Sequence, residues 1–479
     1  MKNKPNIIFI MADDMGSWAM GCAGNNEIRT PNIDSLAAEG IRFVNFFCTS
    51  PVCSPARASL MTGRIPSQHG ILDWLSAGNT VEKYEPYRKG ELIEYLKDQP
   101  GYTDYLAEAG YKCGISGKWH LGDSHHPQKS FEFWEVHAKG GGPYYDAPLI
   151  KDGDVYEEPK YITDKITENA LLFLEEVSQE KQSFYLSIHY TAPHGPWNRK
   201  NHPEEIYDDY HENCAFESVP DGLEPPEWVQ ERQIKINDSA ERREALAGYY
   251  TAVTAMDRNI GRILEWLEDS GLRKETLIIF TSDNGMNMGH HGLYGKGNAS
   301  FPLNMFDESV KVPFIMSQPG IIPSGIISDA MLSQYDFLPT VLEYAGIDKP
   351  QATMTLPGKS FAGILKGLET EHREDVVVFD EYGPVRMVRT TNYKYIHRYP
   401  YGPHELYDLK NDPGETKNLA DSPESMKIQE EMRKRLTDWF RRYVMPGRNG
   451  SHEAVTGLGQ RGLCGAQADG EENFTPINE

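Results

Sequence analysis

Two apolar runs in this sequence end in the same chemistry. Residues 6–16, NIIFIMADDMG, and residues 276–285, TLIIFTSDNG, each pass from a β-branched run into two consecutive oxygen-bearing side chains, then reach a glycine within two residues. If the two runs are neighbouring strands of an α/β sheet, Asp13, Asp14, Asp283 and Asn284 converge beyond the strand ends, where such sheets bind ligands. Three carboxylates so close repel one another unless a cation sits among them. A donor set of oxygens alone, without His, selects calcium or magnesium over zinc. The competing use of each pair is to cap the helix or turn that follows.

A second stretch with chemical content is CTSPVCSPARASLMTGR, residues 48–64. Ser54 reads as an N-cap and Pro55 as the first helical residue, with Gly63 stopping the helix. Cys53 then stands just outside a helix N-terminus, where free N–H groups and the macrodipole favour negative charge. Arg57, in the first turn, reaches back toward it. A cysteine that serves only as a small buried hydrophobe gains nothing from this setting, whereas a group that becomes anionic, or holds an anion, does.

The elements that must position these residues follow from the pattern. Short, nearly continuous apolar runs (NIIFIM, KCGIS, SFYLSIHY, TLIIFTS, VPFIMS) alternate with helix candidates at residues 31–39, 102–109 and 244–269. This alternation predicts an α/β fold with a large, mostly parallel sheet sandwiched by helices. From about residue 375 the texture changes to short strands and turns, VVVFDEYG, VRMVRTTNYKYIHRY and ELYDLKNDPGE, followed by a charged helix at about 423–443. The expected organisation is a catalytic α/β domain over residues 1–370 and a smaller antiparallel α+β subdomain over 371–479, with a loose tail after Pro446. Residues 196–240 lack periodicity and read as an insertion loop that shapes an entrance.

Composition bounds the function. The 479 residues carry 71 acidic and 48 basic side chains, a formal charge of −23, which excludes a general nucleic-acid or anionic-membrane binder. No apolar run approaches the roughly 18 residues of a membrane span. The first apolar run stops at two aspartates, so it reads as a strand rather than a leader. The chain as given is expected to be cytoplasmic, or periplasmic or secreted if a leader was removed. Cysteines 22, 48, 53, 113, 214 and 464 form no zinc or disulfide framework, and a Cys48–Cys53 bridge is not favoured.

CSPARASLMTGR resembles the signature of type I sulfatases, in the alkaline-phosphatase-like superfamily, through its C-x-P-x-R core and downstream TGR. Matching elements cover roughly residues 5–345 in family order: Asp13 and Asp14, GKWHLG at 117–122 with Lys118 and His120, Pro193-His194, SDNG at 282–285, and Lys296 in GLYGKGN. The ELYDLKNDPGETKNL stretch is similar to the family's closing subdomain. The resemblance implies that Cys53 is converted by a maturation enzyme to formylglycine, whose hydrate is the nucleophile. It implies a divalent cation, Ca²⁺ or alternatively Mg²⁺, held by Asp13, Asp14, position 53, Asp283 and Asn284. Arg57, Lys118, His120, His194 and Lys296 would form the positive pocket that a tetrahedral anion needs.

On that scheme Lys118, Lys296 and the metal offset the sulfuryl charge, Arg57 orients the nucleophile and Asp283 receives its proton. His194 protonates the leaving oxygen and His120 acts as the later base. Trp74, Trp197, Asn198 and Arg199 are candidates for holding a sugar by stacking and hydrogen bonding. The expected activity is hydrolysis of a sulfate monoester, most readily a sulfated saccharide. The rivals are a phosphonate monoester or phosphodiester hydrolase with the same site, and an inactive binder of sulfated glycans.

Overall fold

The structure, a computed structural model, describes residues 4–81, 91–180, 182–348, 354–368, 372–380, 385–420, 422–445, 447, 449–450, 453–465 and 472–476. The expected boundary at 370/371 and Glu381–Gly383 of the VVVFDEYG run lie outside them.

Ten strands form one sheet: β1 Asn6–Asp13, β2 Ile41–Phe43, β3 Lys112–Lys118, β4 Phe133–His137, β5 Ala147–Lys151, β6 Asp154–Glu158, β7 Phe184–Pro193, β8 Thr276–Ser282, β9 Phe314–Ser317 and β10 Ile326–Ser328. Their spatial order is β10-β2-β9-β8-β1-β7-β3-β4-β5-β6. The central run β8-β1-β7-β3-β4 is entirely parallel, and β9 and β5 attach antiparallel at its two sides. The apolar runs are continuous because both faces of the sheet are covered. Ile7, Phe9 and Met11 of β1 face one core, while Ile8, Ile10 and Ala12 face another. All the described residues of β1, β7 and β8 are buried.

The helices that cover the sheet differ in places from expectation. Helix α1, Pro31–Ala38, and α3, Tyr102–Glu108, fall where the sequence put them, with α2, Cys53–Thr62, between them. The amphipathic helix α4, Ile162–Ser178, was not anticipated. Helix α6, Ser239–Asp269, starts five residues earlier than expected. Its first turn is polar and exposed, so periodicity is silent there, and the start is set by Asp238, whose carboxylate accepts the N–H groups of Ala240 and Glu241 at 2.9 Å. The insertion at 196–240 is not wholly irregular, because it contains α5, Glu204–Asn213, which buries Ile206, Tyr207 and Tyr210.

Strands β11 Asp375–Asp380, β12 Val385–Thr390, β13 Tyr393–Arg398 and β14 Glu405–Asp408 make an antiparallel sheet in chain order. Helix α7, Met426–Tyr443, lays Met432, Leu436 and Phe440 against it at a spacing of four residues. The loose tail expected after Pro446 is a misreading for its described part. Gln460 bridges to both Leu75 and Phe474, and Leu72, Cys464 and Phe474 bury one another. Cys22, Cys48, Cys53, Cys113 and Cys214 form no disulfide among the described residues, and no helix among the described residues is long and apolar enough to cross a membrane.

Candidate active site

The carboxyl ends of β1 and β8 lie side by side, with Ala12 opposite Ser282. The strand ends therefore deliver Asp13, Asp14, Asp283 and Asn284 to one place, as their matched sequences required. Asp14 adopts a left-handed φ of 66°, which aspartate tolerates better than most residues. The two neighbouring carboxylates thereby serve different partners. Lys118 Nζ at the end of β3 donates to Asp13 Oδ2 at 2.6 Å, while Lys296 Nζ donates to Asp14 Oδ1 at 2.7 Å.

Helix α2 begins two residues earlier than the sequence suggested. Val52 is its N-cap, with φ −142° and ψ 140°, and Cys53 is already helical. Ser54 is not the cap, because its Oγ accepts the Leu75 N–H instead. The consequence for Cys53 is unchanged, since its thiol still lies at a helix N-terminus. Lys296 Nζ reaches Cys53 Sγ at 2.7 Å. Burial pushes the thiol up to about 11, against the opposing pull of Lys118 and Lys296. Arg57 donates from Nε to Asp283 Oδ2 at 2.9 Å and from Nη1 to the Lys118 carbonyl at 3.1 Å.

Asp283 is committed at both oxygens: Oδ2 takes Arg57, and Oδ1 takes the N–H groups of Asp14 and Asn284. Burial alone would raise its carboxyl, but Arg57, Lys118 and Lys296 hold it well below the usual range. That makes Asp283 a poor proton acceptor, contrary to the role expected for it. In contrast, Asp13 Oδ1 and Asn284 Oδ1 are buried and accept no hydrogen bond. Asp13, Asp14 and Cys53 present ligand atoms within 4.8 Å of one another. Two buried oxygens without a hydrogen bond, one on Asp13 and one on Asn284, next to the Asp14 carboxylate fit a hard divalent cation.

The two histidines differ in surroundings. His120 is buried, and its Nε2 lies 3.0 Å from the Leu75 carbonyl. That contact requires the proton on Nε2 and leaves Nδ1, which has no partner, with its lone pair. Burial, then Lys118, holds His120 well below the ordinary histidine range, so the ring is neutral. His194 follows β7. Its Nδ1 is 2.8 Å from the Gly195 carbonyl and its Nε2 is 3.6 Å from Asp14 Oδ2.

A cavity of about 560 Å³ opens over Cys53, and His120, His194 and Lys296 line it, together with Trp74. Arg57 and Lys118 stand behind the carboxylates. The other sugar-holding candidates are not brought there. Trp197 donates its indole N–H to the Pro193 carbonyl and packs against Gly248 of α6. Asn198 Oδ1 accepts from Asn201, and Arg199 forms a two-pronged contact with Asp208 of α5 on the surface. An aromatic, amide and guanidinium cluster beside His194 suggested a sugar site, but the Pro193 carbonyl and α6, Asn201, and α5 respectively use these groups.

Sequence reasoning missed several participants. Lys139, Gly140, Gly141, Gln233, Asn298, Gly457 and Leu458 also line the cavity. His189 Nδ1 lies 3.0 Å from the Lys118 carbonyl, so with Arg57 it fixes the backbone behind Lys118. Gln334 donates to the Asp283 carbonyl and accepts the Thr49 N–H. Only the GGG run at 140–142 carries a local signal, that of backbone brought close to something.

A parallel sheet that gathers carboxylates, cations and a helix-terminal position 53 beneath an open cavity defines a hydrolase of anionic esters, of the alkaline-phosphatase-like type. The Sulfatase family profile matches residues 5–347, and an "N-sulphoglucosamine sulphohydrolase, C-terminal" profile matches residues 289–442. The chain belongs to the sulfatase family, and it is an enzyme that hydrolyses sulfuric esters. It is 30% identical to an N-acetylglucosamine-6-O-sulfatase of Bacteroides thetaiotaomicron, over 92% of this chain and 87% of that one. It is 28% identical to an ulvan-active sulfatase of Formosa agariphila, over 90% and 80% respectively. Among solved structures, one determined with its substrate D-glucosamine-2-N,6-O-disulfate superposes with a TM-score of 0.73 at 26% identity, covering 94% of this chain and all of that one. The family generally works with a metal ion and a formylglycine.

Proposed function

We propose that this sulfatase removes sulfate from a sulfated saccharide, with Cys53 oxidised to formylglycine by a maturation enzyme and Ca²⁺ held by Asp13, Asp14, Asp283 and Asn284. One observation carries the site assignment: two buried oxygens that accept no hydrogen bond from the described residues, Asp13 Oδ1 (3.6 Å from Arg57 Nη2) and Asn284 Oδ1, lie in the same cluster as position 53 and Lys296. The saccharide reading is supported by the names of the relatives and by the sulfated glucosamine bound in the superposed structure.

The cation and the hydrated aldehyde would together supply an oxygen nucleophile of lowered pKa. The chain's own groups do the rest. Lys296, whose ammonium reaches both Asp14 and position 53, neutralises charge on the sulfuryl oxygens. Lys118 holds Asp13, and Arg57 holds Asp283, so the anionic cage keeps its shape without the substrate. His194, at the cavity wall with Nε2 facing Asp14, delivers a proton to the departing alcohol oxygen. His120, neutral with a free Nδ1 lone pair, takes a proton when the product is released.

The test is direct. The purified enzyme from a host that installs formylglycine should hydrolyse O-sulfated hexoses and hexosamines, and kcat/KM for 4-nitrophenyl sulfate should exceed that for phenyl phosphonate esters. Mass spectrometry of the peptide spanning position 53 should show the aldehyde. Unmodified thiol throughout in an active preparation, or preference for the phosphonate, would overturn the proposal.

A further inference from the structure

The cavity changes character from bottom to rim. Its floor is charged, whereas the rim near Trp74 is built from Leu75, Gly457 and Leu458. Leu458 stands 43% exposed at this opening. It reaches the site from the far end of the chain, and the attachment that brings it there is specific. Trp74 donates its indole N–H to the Gly457 carbonyl at 3.1 Å, across 383 positions of sequence. Gln460 N–H donates to the Trp74 carbonyl at 2.7 Å, and the Ser76 N–H returns to the Gln460 carbonyl at 2.9 Å. The Gln460 side chain accepts the Leu72 N–H and donates to the Gly70 carbonyl. Asp73, fully buried, accepts the N–H groups of Trp74 and Gly459. Gly459 has φ +113°, and a Cβ there would meet Ser76 Oγ at 2.4 Å, so only glycine permits the close approach.

We infer that residues 455–465 are a specificity-determining wall: Leu458, fixed beside Trp74, forms an apolar shelf that receives the sugar ring carrying the sulfate. The inference rests on the saccharide reading above and names the residues that would enforce it. The sulfate end needs only the charged floor, and a cavity of about 560 Å³ leaves room above it for a ring. The carbon-rich face of a pyranose is the chemistry that an indole and a leucine side chain hold while its hydroxyls stay wet. The segment adds no proton donor or charge to the floor, so it selects among leaving groups without taking part in bond breaking.

The experiment compares kcat/KM for a panel of O-sulfated hexoses and hexosamines with kcat/KM for 4-nitrophenyl sulfate, in wild type and in Leu458→Asp. Leu458 is exposed, so the fold tolerates the change. The expected result is a fall of about tenfold or more in the ratio of best-sugar to aryl-sulfate kcat/KM. Gly459→Val, which pushes the segment off Ser76, should lower the same ratio. Should that chain fail to fold by circular dichroism, Leu458→Asp decides alone. A ratio unchanged within about twofold in Leu458→Asp overturns the inference, as does a wild type that cleaves 4-nitrophenyl sulfate and none of the sugars. Wild type that cleaves no sulfate ester at all instead overturns the functional reading on which the inference stands.

Discussion

Buried carboxylates stand in two places around the cavity, and they are compensated differently. On the floor, Asp13, Asp14 and Asp283 are interleaved with Arg57, Lys118 and Lys296. In the wall, the partners of Asp73 among the described residues are backbone N–H groups, those of Trp74, Gly457 and Gly459. Burial raises every one of these carboxyls, and the neighbours decide the outcome. For Asp14 and Asp283 the cations outweigh burial and hold the groups low, whereas at Asp13 burial outweighs Lys118 and the group is raised. Among the described residues Asp73 has N–H dipoles and no cation, and it rises to about 7. The floor is therefore an electrostatic device and the wall a folding device, which is why chemistry and leaving-group selection can be altered separately.

The largest break in this comparison comes from the floor. Asp14→Ala removes the acceptor of Lys296 and Asn284 and one of the carboxylates proposed to hold the cation. Turnover of 4-nitrophenyl sulfate should fall by about 10³-fold or more, with circular dichroism unchanged because the strand itself is intact. Wild-type kcat in this variant would show that the floor carboxylates do no chemistry. Chelation of the metal should mimic the loss, and added Ca²⁺ should reverse it.

A smaller break acts on one proton carrier. The Gly140 backbone lies so close to His120 that a Cβ would fall 2.2–2.6 Å from three ring atoms. Gly140→Ala must displace that ring from the Leu75 carbonyl, which sets its tautomer. The expected effect is a fall of about 10²-fold in kcat with KM little changed. Loss in KM alone would mean that the loop serves binding and that His120 moves no proton.

The floor was legible in the sequence because its chemistry demands side chains at consecutive or nearby positions. Asp13-Asp14, Asp283-Asn284 and Cys53 with Arg57 each carry a local signature that needs only the strand or helix end to place it. Even there, the start of α2 was set two residues late, since Ser54 looks like a cap but is used by Leu75. Arg199 failed as a sugar ligand for the opposite reason. Its partners Asp208 and Glu204 lie on α5, a helix too short and charged for its periodicity to show. The wall was illegible for a third reason. Asp73 and Gly459 are 386 positions apart, joined through main-chain groups, and neither residue type announces the pairing.

The finest test distinguishes the two kinds of compensation by pH. In the unfolded chain Asp73 titrates at the ordinary aspartate value of 3.8, and in the folded protein at about 7. Between those values the folded state holds the extra proton, so wild type loses stability through this group as pH rises from 4 to 7, and the loss is complete above that. At about 1.4 kcal/mol per pKa unit, the ceiling is about 4 kcal/mol. Asp73→Asn carries no such proton, yet it turns an N–H toward one of the backbone donors, a constant cost of about 1 kcal/mol. The variant should thus melt below wild type near pH 4 and gain on it steadily to pH 7, after which the difference in Tm stays level. Cations beside Asp73 would reverse the slope, as they hold Asp14 and Asp283 low, so a difference that falls or stays flat with rising pH would place the wall under the same electrostatic rule as the floor.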